Sequence, residues 1–128
     1  MDRIEIHLPL PPADTRPNAR VHWARKAKAA ARQRQDARLA ALASLGTRRP
    51  PRWKRAEIEA TLYRSNPRCR RADGDNVIGW LKATFDGLQD AGIVANDCGF
   101  IHLPPVQVLG AEARTKNLLV VRIAERLF

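Results

Sequence analysis

Ile4, Ile6 and Leu8 alternate with Arg3, Glu5 and His7. A period of two puts the apolar side chains on one face of an extended chain, so the stretch predicts a half-buried strand, which Pro9, Pro11 and Pro12 end. Ile58, Ala60 and Leu62 repeat the alternation against Glu57, Glu59 and Thr61 and predict a second strand. Two more are expected around Val106 to Leu109 and Leu118 to Ile123, with a short extended piece at Ile93 and Val94. From about Arg20 to Leu45 the chain is rich in Ala, Arg, Lys and Gln, all good helix formers. Asn18, after Pro17, is a candidate N-cap for this helix and Gly46 its stop. Trp23, Ala27, Ala30, Ala31, Ala41, Leu42 and Leu45 give it a weak apolar side. A second helix is expected from about Asn76 to Ala91, stopped by Gly92. Arg48 to Arg55 and residues 64 to 74 contain prolines and read as loops. Helices and strands mix without regular alternation and without an internal repeat. The pattern predicts an α+β fold, a small mixed β-sheet packed with two main helices, in a single domain spanning residues 1–128.

Composition sharpens this picture. The chain has 128 residues, 45% of them hydrophobic, enough to build one core. No apolar run approaches the ~18 residues that suggest a membrane span. The N-terminal residues carry no signal-peptide apolar region, and Cys69 and Cys98 stand far apart without a Cys-x-x-Cys pair. A reduced, cytoplasmic setting is expected, without a structural zinc site.

The charge is +10 and unevenly placed. Residues 16 to 55 hold 13 Lys or Arg against the single acid Asp36, a local net of +12. Arg64, Arg68, Arg70 and Arg71 follow, and then the sign reverses. Asp73, Asp75, Asp86, Asp90 and Asp97 face only Lys82 within residues 73 to 97. The basic excess points to a polyanion, because neutralising phosphates releases counterions; a solubilising surface is the plainer explanation. The acidic island is out of place in a pure binding module, since carboxylates repel phosphates unless a divalent cation stands between them.

Asp73 and Asp75 are two apart, and in an extended segment such residues point the same way. On a helical wheel Asp75, Gly79, Lys82 and Asp86 fall within roughly 60° of one another, opposite Val77, Leu81, Phe85 and Leu88. The second set is expected to pack inward. Gly79 costs a helix roughly 1 kcal/mol relative to Ala, and an open gap on the polar stripe for a metal, water or phosphate would account for it. The ordinary alternatives are a turn and N-cap at Asp73-Gly74-Asp75-Asn76 and a surface i,i+4 ion pair between Lys82 and Asp86.

Arg71, Asp73, Asp75, Asn76, Lys82, Asp86, Leu88, Ala91, Gly92 and Asp97, in this order, resemble the signature of the RusA family of Holliday-junction resolvases, with its phage and prophage members. Leu8-Pro9-Leu10-Pro11-Pro12, Asn18 and Arg20-Val21-His22-Trp23 are similar to the family's opening strand, proline-rich turn and basic stretch. The likeness covers most of the chain, but only residues 70 to 97 are specific. Two departures stand out. Lys82 lies nearly one helical turn further from Asp75 than in the best-known form of the signature, which keeps it on the same face. Asn96 replaces the first member of the terminal acidic pair, offering a carbonyl oxygen but no charge.

The resemblance implies a RusA-like, Mg²⁺-dependent endodeoxyribonuclease, with Mn²⁺ a substitute, that nicks four-way DNA junctions as a homodimer in recombination and repair, in a bacterial or phage-infected cell. It implies catalytic roles for Asp73, Asp75, Lys82 and Asp97, with the three aspartates binding metal and Lys82 against the scissile phosphate. Asp86, Asn76 and Asn96 would support them. Asn18, Arg20, His22, Arg25, Lys26, Lys28, Arg32, Arg70 and Arg71 are candidate DNA contacts. Neither a membrane nor an organic cofactor is expected as a partner. Trp23, Trp53 and Trp80 are expected to pack, and His102, five residues after Asp97, is expected on the surface, with a role beside the site as the alternative. The competing readings are a non-catalytic DNA-binding module of the same fold and a basic RNA-associated protein whose acids are salt-bridged to arginines.

Overall fold

The computed structural model describes residues 2–127. Among them the chain folds as β1 (Arg3–Pro9), α1 (Trp23–Leu45), β2 (Ala56–Arg64), α2 (Gly74–Trp80), α3 (Lys82–Asp90), β3 (Phe100–His102), β4 (Val106–Leu109) and β5 (Asn117–Glu125). The fold is α+β: one mixed five-stranded sheet with three helices.

Strand order is β1-β5-β2-β3, and β4 also pairs with β2. β5 runs antiparallel to both β1 and β2, whereas β3 and β4 run parallel to β2. β3 and β4 therefore share one edge of β2. Pro104 and Pro105 lie between them, where the missing N–H donors interrupt an edge strand. β3, three residues long, is the strand that periodicity leaves undetected.

Register explains the core. Ile4 opposes Ile123, Ile6 opposes Val121 and Leu8 opposes Leu119. The same β5 residues oppose Ile58, Ala60 and Leu62 across the other edge. Apolar rows thus run across three strands, and Ala37, Ala41 and Leu45 of α1 and Leu88 of α3 join them in one buried cluster. Each fully buried Ile, Leu or Val contributes roughly 1.5–3 kcal/mol. The reverse face carries the Glu5–Arg122–Glu59 row, with Arg122 Nε donating to Glu5 at 2.9 Å.

α1 starts later than its composition suggests, and Asn18 is not its cap: His22 Nδ1 accepts from the Ala24 N–H at 3.2 Å. Pro17 and the bend that follows keep residues 18–21 out of helical geometry. Gly46 ends the helix at φ 61°, donating to the Leu42 and Ala43 carbonyls. The expected apolar side holds only in the second half. Ala27 and Ala31 are exposed, and Trp23 is 76% exposed, so it does not pack as expected. The buried residues of α1, Gln33, Ala37, Ala41 and Leu45, all lie in its later part, whereas its first turns bond to the preceding loop through Arg25 and Lys26.

The single helix expected over 76–91 is two. Leu81, at φ −91° and ψ 0°, separates α2 from α3. At this joint the buried Gln33 of α1 donates from Nε2 to the Trp80 carbonyl at 3.0 Å and to Thr84 Oγ1 at 2.9 Å. A partner from α1 thus satisfies a carbonyl where the helix deforms. Next to it α1 and α3 touch backbone to backbone. A Cβ on Gly87 would lie 2.1 Å from the Arg34 carbonyl oxygen, which only glycine avoids. Arg34 and Asp90 close the same seam at 2.6 and 2.8 Å. Among the described residues no helix is long and apolar enough to cross a membrane.

Candidate functional site

The basic loop between β2 and α2 is pinned at both ends. Asn117 accepts from the Ser65 N–H at 3.0 Å and donates to Ser65 Oγ at 2.7 Å. The buried Gln107 of β4 grips Ala72 from both sides, its Oε1 accepting from the Ala72 N–H at 2.9 Å and its Nε2 donating to the Ala72 carbonyl at 2.8 Å. Such a clamp reproduces a strand pairing with one side chain and fixes the residue immediately before Asp73.

Asp73 is the N-cap residue of α2, with extended dihedrals, and Asp75 lies in the first turn. The pair therefore does not sit in one extended segment, and the two-residue rule does not align their side chains. The helix begins at Gly74, earlier than its apolar period indicates, because glycine and acid suit a first turn. Asp73 makes no side-chain capping bond. Both carboxylates are exposed and, among the described residues, have neither ion-pair nor hydrogen-bond partners. Of the five aspartates in the acidic island, Asp90 alone is paired, to Arg34.

A pocket of about 280 Å³ opens against α2, α3 and the turn at Asp97, and neither Asp73 nor Asp75 lines it. Lys82, Asp86, Asp97 and His102 line it, with Ile78, Phe85 and Phe100 as apolar wall. Phe85 is thus only partly buried, unlike Val77, Leu81 and Leu88. Lys82 and Asp86 face this pocket together, but the expected i,i+4 ion pair is not formed among the described contacts. Asp97 opens a 3-10 turn (Asp97–Gly99), preceded by the exposed Asn96. Gly99 seats that turn on the core, since a Cβ there would come within 2.9 Å of Val94 Cβ. Asn76, expected to support the aspartates, instead lines a cleft on the opposite side of α2. Gly79 also has another explanation than an open gap. A Cβ at that position would meet Pro17 Cγ at 2.8 Å, so glycine admits the proline ring of the preceding loop.

His102 is exposed, as expected, and also borders the site. Its ring lies 4.6 Å from that of Phe85, and it lines the pocket with Asp97 and Lys82. Partial desolvation by its neighbours pushes its pKa below the ordinary value. The only local signal was its spacing from Asp97.

The candidate DNA contacts separate into two groups. Arg20, Lys28, Arg32 and Arg71 are exposed and unpartnered among the described residues. Arg25 is held by Asp14 at 2.8 Å, Lys26 reaches the Pro17 carbonyl at 3.4 Å, and His22 is engaged as the cap of α1. Asn18 and Arg70 line the cleft shared with Asn76, where Arg16 and Arg64 join them. Arg16 and Arg64 count toward the charge of the sequence, but nothing in their spacing marks them as neighbours.

Among the described residues no group of three His, Cys, Asp or Glu is assembled to hold a metal ion. Mg²⁺ does not require one, since it is usually bound through one or two carboxylates plus waters and substrate phosphates. Exposed, unpaired carboxylates are suitable donors for that hard cation. No protein-family model matches the chain, and no curated protein matches it in sequence.

Proposed function

We propose that the protein is a Mg²⁺-dependent endodeoxyribonuclease that nicks four-way DNA junctions, acting as a homodimer. One observation carries the reading: among the described residues Asp73 and Asp75 at the start of α2, Asp86 of α3 and Asp97 of the following 3-10 turn stay unpaired, the last two in one pocket with Lys82, in a chain of charge +10. Unneutralised carboxylates next to abundant arginine are electrostatically wasteful in a protein that only binds phosphate. The RusA-like order of these residues supports the same reading.

Asp73 and Asp75, at the start of α2, and Asp97, in the pocket with Lys82, would supply carboxylate oxygens to the metal. When bound, Mg²⁺ lowers the pKa of a water and neutralises phosphate charge. Lys82 stabilises charge developing on the phosphate oxygens. Asp86 shares the pocket with Lys82 and steers its ammonium without pairing with it. His102 lines the same pocket and would accept a proton from the attacking water. The exposed arginines of α1 hold the arms by their backbones, which positions DNA without reading sequence. A four-way junction is two-fold symmetric, so two copies supply one site per nicked strand.

The test is a labelled synthetic junction incubated with Mg²⁺, with EDTA, and with Asp75→Asn protein. Metal-dependent symmetric nicking that Asp75→Asn abolishes without loss of binding is the expected result. Equal cutting of linear duplex, or cutting in EDTA, contradicts the reading. Junction binding that tightens in Asp75→Asn, with no cutting by either protein, identifies a binding module instead.

A further inference from the structure

We infer that the cleft between the 3-10 turn at Ala13–Thr15, β2 and α2 is a dedicated phosphate site that holds one backbone phosphate away from the acidic pocket. The cleft measures about 180 Å³, and no carboxylate lines it. Arg16, Arg64 and Arg70 converge there, with Asn18 and Asn76 as further polar groups. None of the three arginines has an ion-pair partner among the described residues.

Their support is unusual. The Trp80 ring lies beneath two of them, with Arg16 Cζ 4.6 Å and Arg64 Cζ 5.9 Å from its centre. Trp80 is itself buried, and its Nε1 donates to the Pro12 carbonyl at 2.8 Å, so the platform is fixed. A guanidinium stacked on an indole keeps its N–H fork free in plane, the geometry that matches a phosphate. The buried ring is closed to base stacking, so the cleft recognises the phosphate and not the base. Arg16 and Arg64 are half-buried, where a cation attracts an oxyanion more strongly than in open water. Gln107 lines the same cleft and clamps Ala72, so a phosphate held here is placed in register with the loop leading to Asp73.

The role within a nuclease rests on the function proposed above; the phosphate binding does not. The experiment follows the Arg16 and Arg64 Nε–Hε NMR signals during titration with inorganic phosphate and, separately, with a short oligothymidylate. It also measures junction affinity in EDTA against salt for the wild type, Arg16→Lys, and Arg16→Gln with Arg64→Gln. Both signals are expected to shift, with oligothymidylate acting at a concentration at least about tenfold below inorganic phosphate, since neighbouring phosphates add contacts. The double variant is expected to bind about tenfold or more weakly and to lower the salt slope by about one, the count for one phosphate. Arg16→Lys keeps the charge but loses the fork, and is expected to recover only part of the affinity. Shifts with inorganic phosphate at equal or lower concentration point to free phosphate as the ligand and overturn the backbone assignment. Unmoved signals, or unchanged affinity and slope in a folded double variant, overturn the site. A protein that shows the shifts but never cuts retains this cleft and loses the nuclease reading.

Discussion

Two hollows lie on opposite sides of α2, and they differ in kind. One is lined by Arg16, Arg64 and Arg70 with no acid; the other by Lys82, Asp86, Asp97 and His102 with two acids. The first is a surface on which a polyanion can rest. The second would repel a phosphate unless a cation intervened. Helix α2 and its joint with α3 are the common wall. In the proposed enzyme this separates holding from reacting.

The largest effect is expected from the acidic side. Asp97→Asn should lower the nicking rate by about a thousandfold while junction affinity changes less than about threefold, as for loss of a group acting mainly in the transition state. Single-turnover cleavage and anisotropy measure the two, and a parallel loss of binding would break the distinction between the hollows. His102→Gln comes next, with a rate loss of about a hundredfold, as for loss of a general base. An unchanged rate would remove His102 from the chemistry.

Gln107 ties the arginine cleft to the loop leading to Asp73. Gln107→Ala should slow nicking by about tenfold or more through misplacement of the Asp73 loop. Gln107→Glu keeps the acceptor for the Ala72 N–H but loses the donor, and should fall between. Equal rates in all three would show that the clamp only supports the fold. The smallest effect concerns pH. The folded-state pKa of His102 lies below the ordinary value of 6.5 because partial desolvation disfavours its charge. Between those two values the unfolded chain binds more protons, so this contribution is fully present above pH 6.5 and is lost as pH falls through the folded value. Thermal melts should show a smaller loss of stability on acidification for His102→Gln than for the wild type.

The strands β1 and β2 were legible because period-two burial is a property of neighbouring residues, and Gly46 and Gly92 mark helix ends through their own positive φ. The three-residue β3 carried too few positions for a period, and His102 with it. The break at Leu81 could not be read from residues 76–91, because the group beside it, Gln33, belongs to α1. The same holds for Gly79, whose neighbour Pro17 lies far earlier in the chain. Trp23 was misjudged as a packing residue because an apolar ring says nothing about whether the sheet extends beneath it.

By itself the sequence determined the class of fold, the sign of the charge and where it reverses, and the order of the aspartates. Each of these is written in residue type and local spacing. Which groups share a hollow was decided only by tertiary structure. Arg16 meets Arg64 and Asp97 meets His102 and Lys82 because sheet register and helix packing bring distant segments together, and no local period encodes that contact.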